Sequence, residues 1–147
     1  MIPVGTAGDP VDTLARTLWG EARGEGAAGM IAVAAVVLNR VAVSQALGGR
    51  HWWGADIAGV CRCRLQFSCW NPGDPNRAKL LAVNDDDPAF RVALSVAADA
   101  VAGRIVDPTF GATSYKVASL PWPFSWGHPR LPLAEIGKHA FYNLEKD

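Results

Sequence analysis

One segment, residues 27–47, restricts the fold of this chain more than any other. At helical spacing Met30 and Val37 lie on one side of the segment, while Ile31 and Val36 lie on the opposite side. A helix that is apolar nearly all round is buried in the centre of its domain. The segment therefore predicts a central helix around which the rest of the chain packs.

Three other helix starts share one arrangement, an Asp N-cap followed by Pro at the first helical position. These starts are Asp9-Pro10, Asp74-Pro75 and Asp87-Pro88. We expect helices over residues 10–23, 75–83 and 88–102, and a short helical turn near 57–61. Asp12, three residues after Asp9, resembles a weak capping box.

From residue 105 onward, Gly, Pro and aromatic residues dominate, and helical periodicity is weak except around 133–136. Residues 139–142 predict a short strand or an extended tail packed on the core. The expected fold class is mainly α with a small β contribution (α+β), with long aromatic-rich loops. Because no linker divides the sequence, we expect one domain over residues 1–147, with its core at 10–143.

Charge and hydropathy narrow the classes of partner. The chain has 14 basic and 14 acidic residues, whereas proteins that grip nucleic-acid phosphates show a basic excess. The most apolar run, residues 30–38, is about nine residues long and too short to span a bilayer. The N-terminal sequence lacks the basic and apolar regions of a secretory signal peptide. We expect a soluble monomer without its own export signal that binds neither nucleic acid nor membrane.

Three cysteines, Cys61, Cys63 and Cys69, lie close together in one loop-rich segment. Their odd number does not suit a full disulfide framework. A zinc site with His51 as fourth ligand, one bridge from Cys69 to Cys61 or to Cys63, and free thiols all remain open. We expect no metal ion and no cofactor.

The most informative acidic residue is Glu21, in the segment Leu18-Trp19-Gly20-Glu21. It follows Leu18 by three residues and Leu14 by seven, so a helix places its carboxyl on the apolar, inward face. Desolvation there raises the pKa of a carboxyl, and the helix C-terminus acts in the same direction. A carboxyl that stays protonated near neutral pH can donate a proton to a leaving group.

Glu25 lies between two glycines just before the central helix, where a negative charge is favoured. The plain interpretation of Glu25 is a structural carboxylate that pairs with exposed amides. The corresponding interpretation of Glu21 is an inward acid satisfied by Arg23, Arg40 or a backbone donor. Glu25 and His139 remain secondary candidates for a role in the site.

The segments LARTLWGEARGE and GMIAVAAVVLNRV resemble the opening of the SleB-type cell-wall hydrolases, the group of the spore cortex-lytic enzyme. QFSCWN, GATSY and IGKHAFYN continue the resemblance in the same order, from residue 12 to residue 143. The resemblance implies a small, mainly helical, lysozyme-like fold. It also implies an enzyme that degrades the peptidoglycan glycan strand.

The resemblance assigns roles to particular positions. The catalytic glutamate of the GEARGE block matches Glu21. The Gln-Phe-Ser segment matches Gln66, Phe67 and Ser68, which would line the saccharide groove, and Tyr115 matches the aromatic residue of the GATxY block.

The chemistry of neighbouring residues adds candidates for substrate binding. Asn71, like Gln66 and Ser68, offers donors and acceptors for hydroxyl and acetamido groups. Trp70 is a candidate for stacking on a sugar face, although a Trp anchors a core just as readily. The same two interpretations apply to Trp52, Trp122 and Trp126.

The chain also departs from the family pattern. Many relatives carry His on both sides of the matched tyrosine, where this sequence has Ser114 and Lys116. The spore enzymes carry an export signal and a separate wall-binding module, and we expect neither in this sequence. Its resemblance is therefore to a short phage or prophage endolysin, which a phage-type lysis route would release to the wall.

The expected reaction is cleavage between N-acetylmuramic acid and N-acetylglucosamine by a lytic transglycosylase that needs one carboxyl. A hydrolytic muramidase is the nearest alternative. Three further alternatives are a zinc amidase or peptidase using His51, His128 and His139, a Cys/His endopeptidase using Cys69, and a silent glycan-binding module.

Overall fold

The computed structural model describes residues 9–63 and 66–146. Within these residues the α-helices are α1 (Pro10–Ala22), α2 (Gly26–Ala46), α3 (Ile57–Arg62), α4 (Pro75–Ala82) and α5 (Pro88–Val101). The strands are β1 (Ser114–Val117), β2 (Ala134–Ile136) and β3 (His139–Tyr142), and 3-10 turns cover Ser68–Trp70 and Phe124–Trp126. The expectation of a missing export signal concerns residues 1–8, which lie outside the described part.

All three predicted Asp caps form. Asp9 accepts backbone N–H groups at the start of α1, Asp74 does so at the start of α4, and Asp87 at the start of α5. The suggested capping box at Asp12 is wrong, because its carboxylate instead binds Arg16 Nε at 3.0 Å. The buried Arg16 guanidinium requires a charged partner, whereas the N–H groups at the start of α1 already have Asp9 as their acceptor.

Helix α2 is the predicted central helix and packs against α1, α3 and α5. It runs for 21 residues and contains an 18-residue stretch with a mean hydropathy of 1.8. Its length and composition would therefore allow it to span a membrane. The run of nine apolar residues noted in the sequence therefore understated the length of the apolar helix. Half of an apolar 18-residue stretch of α2 is buried inside the fold, as in the core helix of a globular domain.

Three antiparallel strands form a small sheet in the order β1-β3-β2. The predicted strand at residues 139–142 is β3, whereas the helical pattern suggested around 133–136 is wrong because Ala134–Ile136 form β2. Phe141 of β3 packs with Ala32 and Val36 of α2 in a second apolar cluster. This contact fixes the sheet against the central helix and brings β1 to the end of α1.

Candidate active site

Glu21 lies in the last turn of α1 on the face that its spacing predicts. Leu14 and Leu18 on the same face are fully buried, and Glu21 itself is only partly exposed. Burial raises the pKa of the Glu21 carboxyl above its ordinary value, although hydrogen bonds from Tyr115 and Cys69 lower it in part. The suggested partners Arg23 and Arg40 bind elsewhere, Arg23 to Asn76 and Arg40 to the Thr113 carbonyl. Instead, the Tyr115 hydroxyl donates to Glu21 Oε1 at 2.6 Å.

Strand β1 delivers Tyr115 to this position, and three rings hold it there. Its ring centroid lies 5.5 Å from that of Phe141 and 6.5 Å from that of Phe67. His139 packs against the tyrosine ring at 5.2 Å, with the two ring planes perpendicular. Burial raises the pKa of Tyr115 well above its ordinary value, so its hydroxyl remains a hydrogen-bond donor.

Cys69 packs against the backbone just before Glu21. A Cβ atom at Gly20 would lie 2.8 Å from both Cβ and Sγ of Cys69, so this approach requires glycine. All three cysteines are free thiols, which excludes both suggested bridges in this structure. Burial raises the pKa of Cys61 to about 12 and raises that of Cys69 further, so neither thiol has the thiolate character of a nucleophile.

Glu25 lies four residues beyond Glu21 but has different hydrogen-bond partners. Its Oε1 accepts the backbone N–H of Lys138 at 3.0 Å and lies 3.3 Å from Nδ1 of His139. Gly137, with φ of 57°, brings the turn between β2 and β3 against this carboxylate. Glu25 therefore joins the start of α2 to the sheet.

A cavity of about 300 Å³ opens in front of Glu21. Gln66 and Phe67, which the resemblance assigned to a saccharide groove, line it together with Tyr115. Its other lining residues are Arg40, Ser114, Ser125 and Trp126.

The structure does not bring the remaining predicted binding residues to this cavity. Trp70 is only 7% exposed, and its indole N–H donates to Thr17 Oγ1 at 2.9 Å, so its ring anchors the core. Ser68 is exposed and Asn71 half-buried, and neither lines the cavity.

Arg40 lines the cavity, although the sequence suggested it only as a partner for Glu21. Its Nε donates to the Thr113 carbonyl at 2.7 Å, and its Nη1 lies 3.4 Å from Gln66 Oε1. Burial lowers the pKa of this guanidinium. A charged residue inside an otherwise apolar helix was the sequence signal for such a role, since charges are buried only at a cost.

The histidines occupy separate settings. His51 lies 3.7 Å from Glu145, His139 faces Glu25, and His128 is exposed in a loop. In the two described ranges, no three His, Cys, Asp or Glu residues group so that they could hold a metal ion.

A carboxyl of raised pKa, held by a tyrosine at the wall of a polar cavity on a helical domain, has the properties of a general acid. The family model of the cell-wall hydrolases matches residues 24–142. The chain therefore belongs to the cell-wall hydrolase family, and the assignment to its SleB-type branch is confirmed by the relatives described next. The matched range begins just after Glu21, so the role of Glu21 depends on its own geometry and on the GEARGE segment.

Two curated relatives are spore cortex-lytic enzymes. That of Halalkalibacterium halodurans is 32% identical over 97% of this chain, and that of Bacillus subtilis is 31% identical over 95%. The chain spans 37% and 39% of the length of these relatives.

Two solved structures are similar as well. The catalytic domain of the germination-specific lytic transglycosylase SleB from Bacillus anthracis has 26% identity, with a TM-score of 0.59 over 95% of this chain and 98% of that one. The catalytic domain of Bacillus cereus SleB also has 26% identity, with a TM-score of 0.64 over 95% of this chain and 94% of that one. The predicted mainly helical, lysozyme-like fold class is thereby confirmed.

Proposed function

We propose that this chain cleaves the glycan strand of peptidoglycan between N-acetylmuramic acid and N-acetylglucosamine, with Glu21 as general acid. The observation that carries this proposal is the Glu21 carboxyl, which has a raised pKa and lies at the wall of a cavity lined by polar and aromatic groups. The similarity to spore cortex-lytic enzymes supports the substrate class.

We further infer that the reaction is that of a lytic transglycosylase. Glu21 gives its proton to the glycosidic oxygen as the bond from that oxygen to the anomeric carbon breaks. The 6-hydroxyl of the muramic acid then attacks this carbon and closes a 1,6-anhydro ring, while Glu21 accepts the hydroxyl proton. One carboxyl is sufficient because the nucleophile belongs to the sugar.

The placement of the acidic residues supports this choice over a hydrolytic muramidase. Most glycosidases use two carboxyl groups that flank the scissile bond. Among the described residues that line the cavity, Glu21 is the acid, whereas Glu25 is engaged with Lys138 and His139. The similarity to a structure described as a lytic transglycosylase points in the same direction.

Mass spectrometry of peptidoglycan digested by the purified protein tests the proposal. We expect anhydromuropeptides, which are lighter by one water than the products of hydrolysis. Reducing ends alone would mean a muramidase, and free stem peptides beside intact glycan would mean an amidase. If the purified protein releases no products from peptidoglycan that a known muramidase digests, the result would favour a silent glycan-binding module.

A further inference from the structure

The cavity in front of Glu21 continues into a second one of about 430 Å³. The two cavities share five lining residues, namely Arg40, Gln66, Ser114, Ser125 and Trp126. Glu21 lines the first and not the second, whereas Trp52 and Glu145 line the second and not the first. The cleft therefore extends away from Glu21, and its far end is built from other side chains.

Trp52 presents an aromatic surface at this far end. The residue is 62% exposed, which is unusual for a ring of this size unless it serves packing or binding. Its backbone carbonyl accepts from Cys63 Sγ at 3.7 Å, and its ring centroid lies 5.5 Å from that of Trp53. The exposed ring therefore packs beside the ring of Trp53.

Trp53 connects this surface to the central helix. It is 1% exposed, and its indole N–H donates to the carbonyl of Arg40 at 3.0 Å. The Arg40 guanidinium lies 5.1 Å from the centre of the Trp53 ring. Trp53 and Arg40 thus connect the far end of the cleft to the part that the two cavities share.

Polar groups stand beside the aromatic surface. Glu145 lies 3.7 Å from Nε2 of His51, a buried nitrogen with no hydrogen-bond partner. Gln66 and Ser114 add an amide and a hydroxyl along the floor. An aromatic face with a few placed donors and acceptors is typical of small-molecule binding sites, and a sugar ring offers apolar C–H groups together with hydroxyls and an acetamido group.

We propose that the second cavity binds a sugar of the glycan strand remote from the scissile bond, with Trp52 as the stacking surface and Glu145 as an acceptor for its hydroxyl or amide groups. The proposal rests on the proposed function, because it assigns a further subsite of the same cleft. It makes Trp52 a determinant of preference for longer strands, since a short fragment beside Glu21 does not reach it.

Binding of glycan fragments of defined length tests this subsite. In the Glu21→Gln background, which prevents turnover, calorimetry compares a peptidoglycan disaccharide with a hexasaccharide. We expect Trp52→Ala to weaken hexasaccharide binding about tenfold, as the loss of one aromatic stacking contact would. Disaccharide binding should not change, and Trp52→Phe should keep most of the affinity for the hexasaccharide.

Phe110→Ala is the matched control, because Phe110 is 78% exposed and lines a different cavity. Hexasaccharide affinity that Trp52→Ala leaves unchanged would overturn the subsite and leave the proposed function intact. An equal loss for both fragments would also overturn it, because it would indicate a general effect on the fold. If the parent protein binds neither fragment, the proposed function fails together with the subsite.

Discussion

Two neighbouring regions, the end of α1 with Glu21 and the start of α2 with Glu25, contain the same kind of side chain in different surroundings. Glu21 meets a buried tyrosine hydroxyl and a thiol beside a cavity, and its pKa is raised. Glu25 meets a backbone N–H and a histidine at the turn between β2 and β3. We therefore propose a catalytic role for Glu21 and a structural role for Glu25, because the partners and the burial of a carboxyl decide its chemistry.

We expect the largest effect when each of the two acids is removed in turn. We expect Glu21→Gln to reduce turnover of peptidoglycan by about 10²- to 10⁴-fold, the usual contribution of a general acid. Glu25→Gln should keep most of the activity, because its amide oxygen still accepts from Lys138. Release of soluble muropeptides measures both variants. Comparable losses in the two would remove the distinction between the acids.

The second test concerns the structural role of Glu25. Glu25→Ala leaves the Lys138 N–H and His139 without their acceptor, so we expect it to lower the free energy of unfolding by about 1–3 kcal/mol. Activity per folded molecule should change little at a temperature where the variant is folded. Urea denaturation measures the stability, and Glu135→Ala, an exposed position on the neighbouring strand β2, is the control. Full stability in Glu25→Ala would contradict the joining role.

The third test concerns the hydroxyl that holds Glu21. Tyr115→Phe removes a hydrogen bond that favours the ionised carboxyl, so the pKa of Glu21 should rise further. A general acid works only while protonated, and the alkaline limb of the pH–rate profile should therefore move to higher pH. Loss of the positioning contact should cost about tenfold in rate, equivalent to one hydrogen bond of ~1.4 kcal/mol. An alkaline limb that stays in place or moves down would show that Tyr115 does not act on Glu21.

Local sequence was enough to predict parts of both regions. The Asp caps form as expected because a cap depends on residues within one turn. Helical spacing also placed Glu21 beside Leu14 and Leu18, since that relation lies within a single helix.

Relations between distant segments were harder to predict. Strand β2 has three residues, too few to distinguish a period of 2 from one of 3.6. Trp70 belongs to a matching segment, yet its indole N–H is bound by Thr17, which its sequence neighbourhood does not reveal. The resemblance marked Tyr115 as a site residue, but nothing in the sequence paired it with Glu21, because 94 residues separate the two.

The smallest expected effect is the dependence of stability on pH at Glu21. The folded state raises the pKa of this acid above its ordinary value of 4.5, so between the two values the folded state binds more protons than the unfolded state. Stability must therefore fall as pH rises through that interval. Glu21→Gln removes this loss, and we expect its melting temperature to exceed that of the parent at pH 8 and to match it at pH 4. Glu25→Gln serves as the comparison under the same conditions. A gain of equal size at both pH values would show that titration of Glu21 is not its cause.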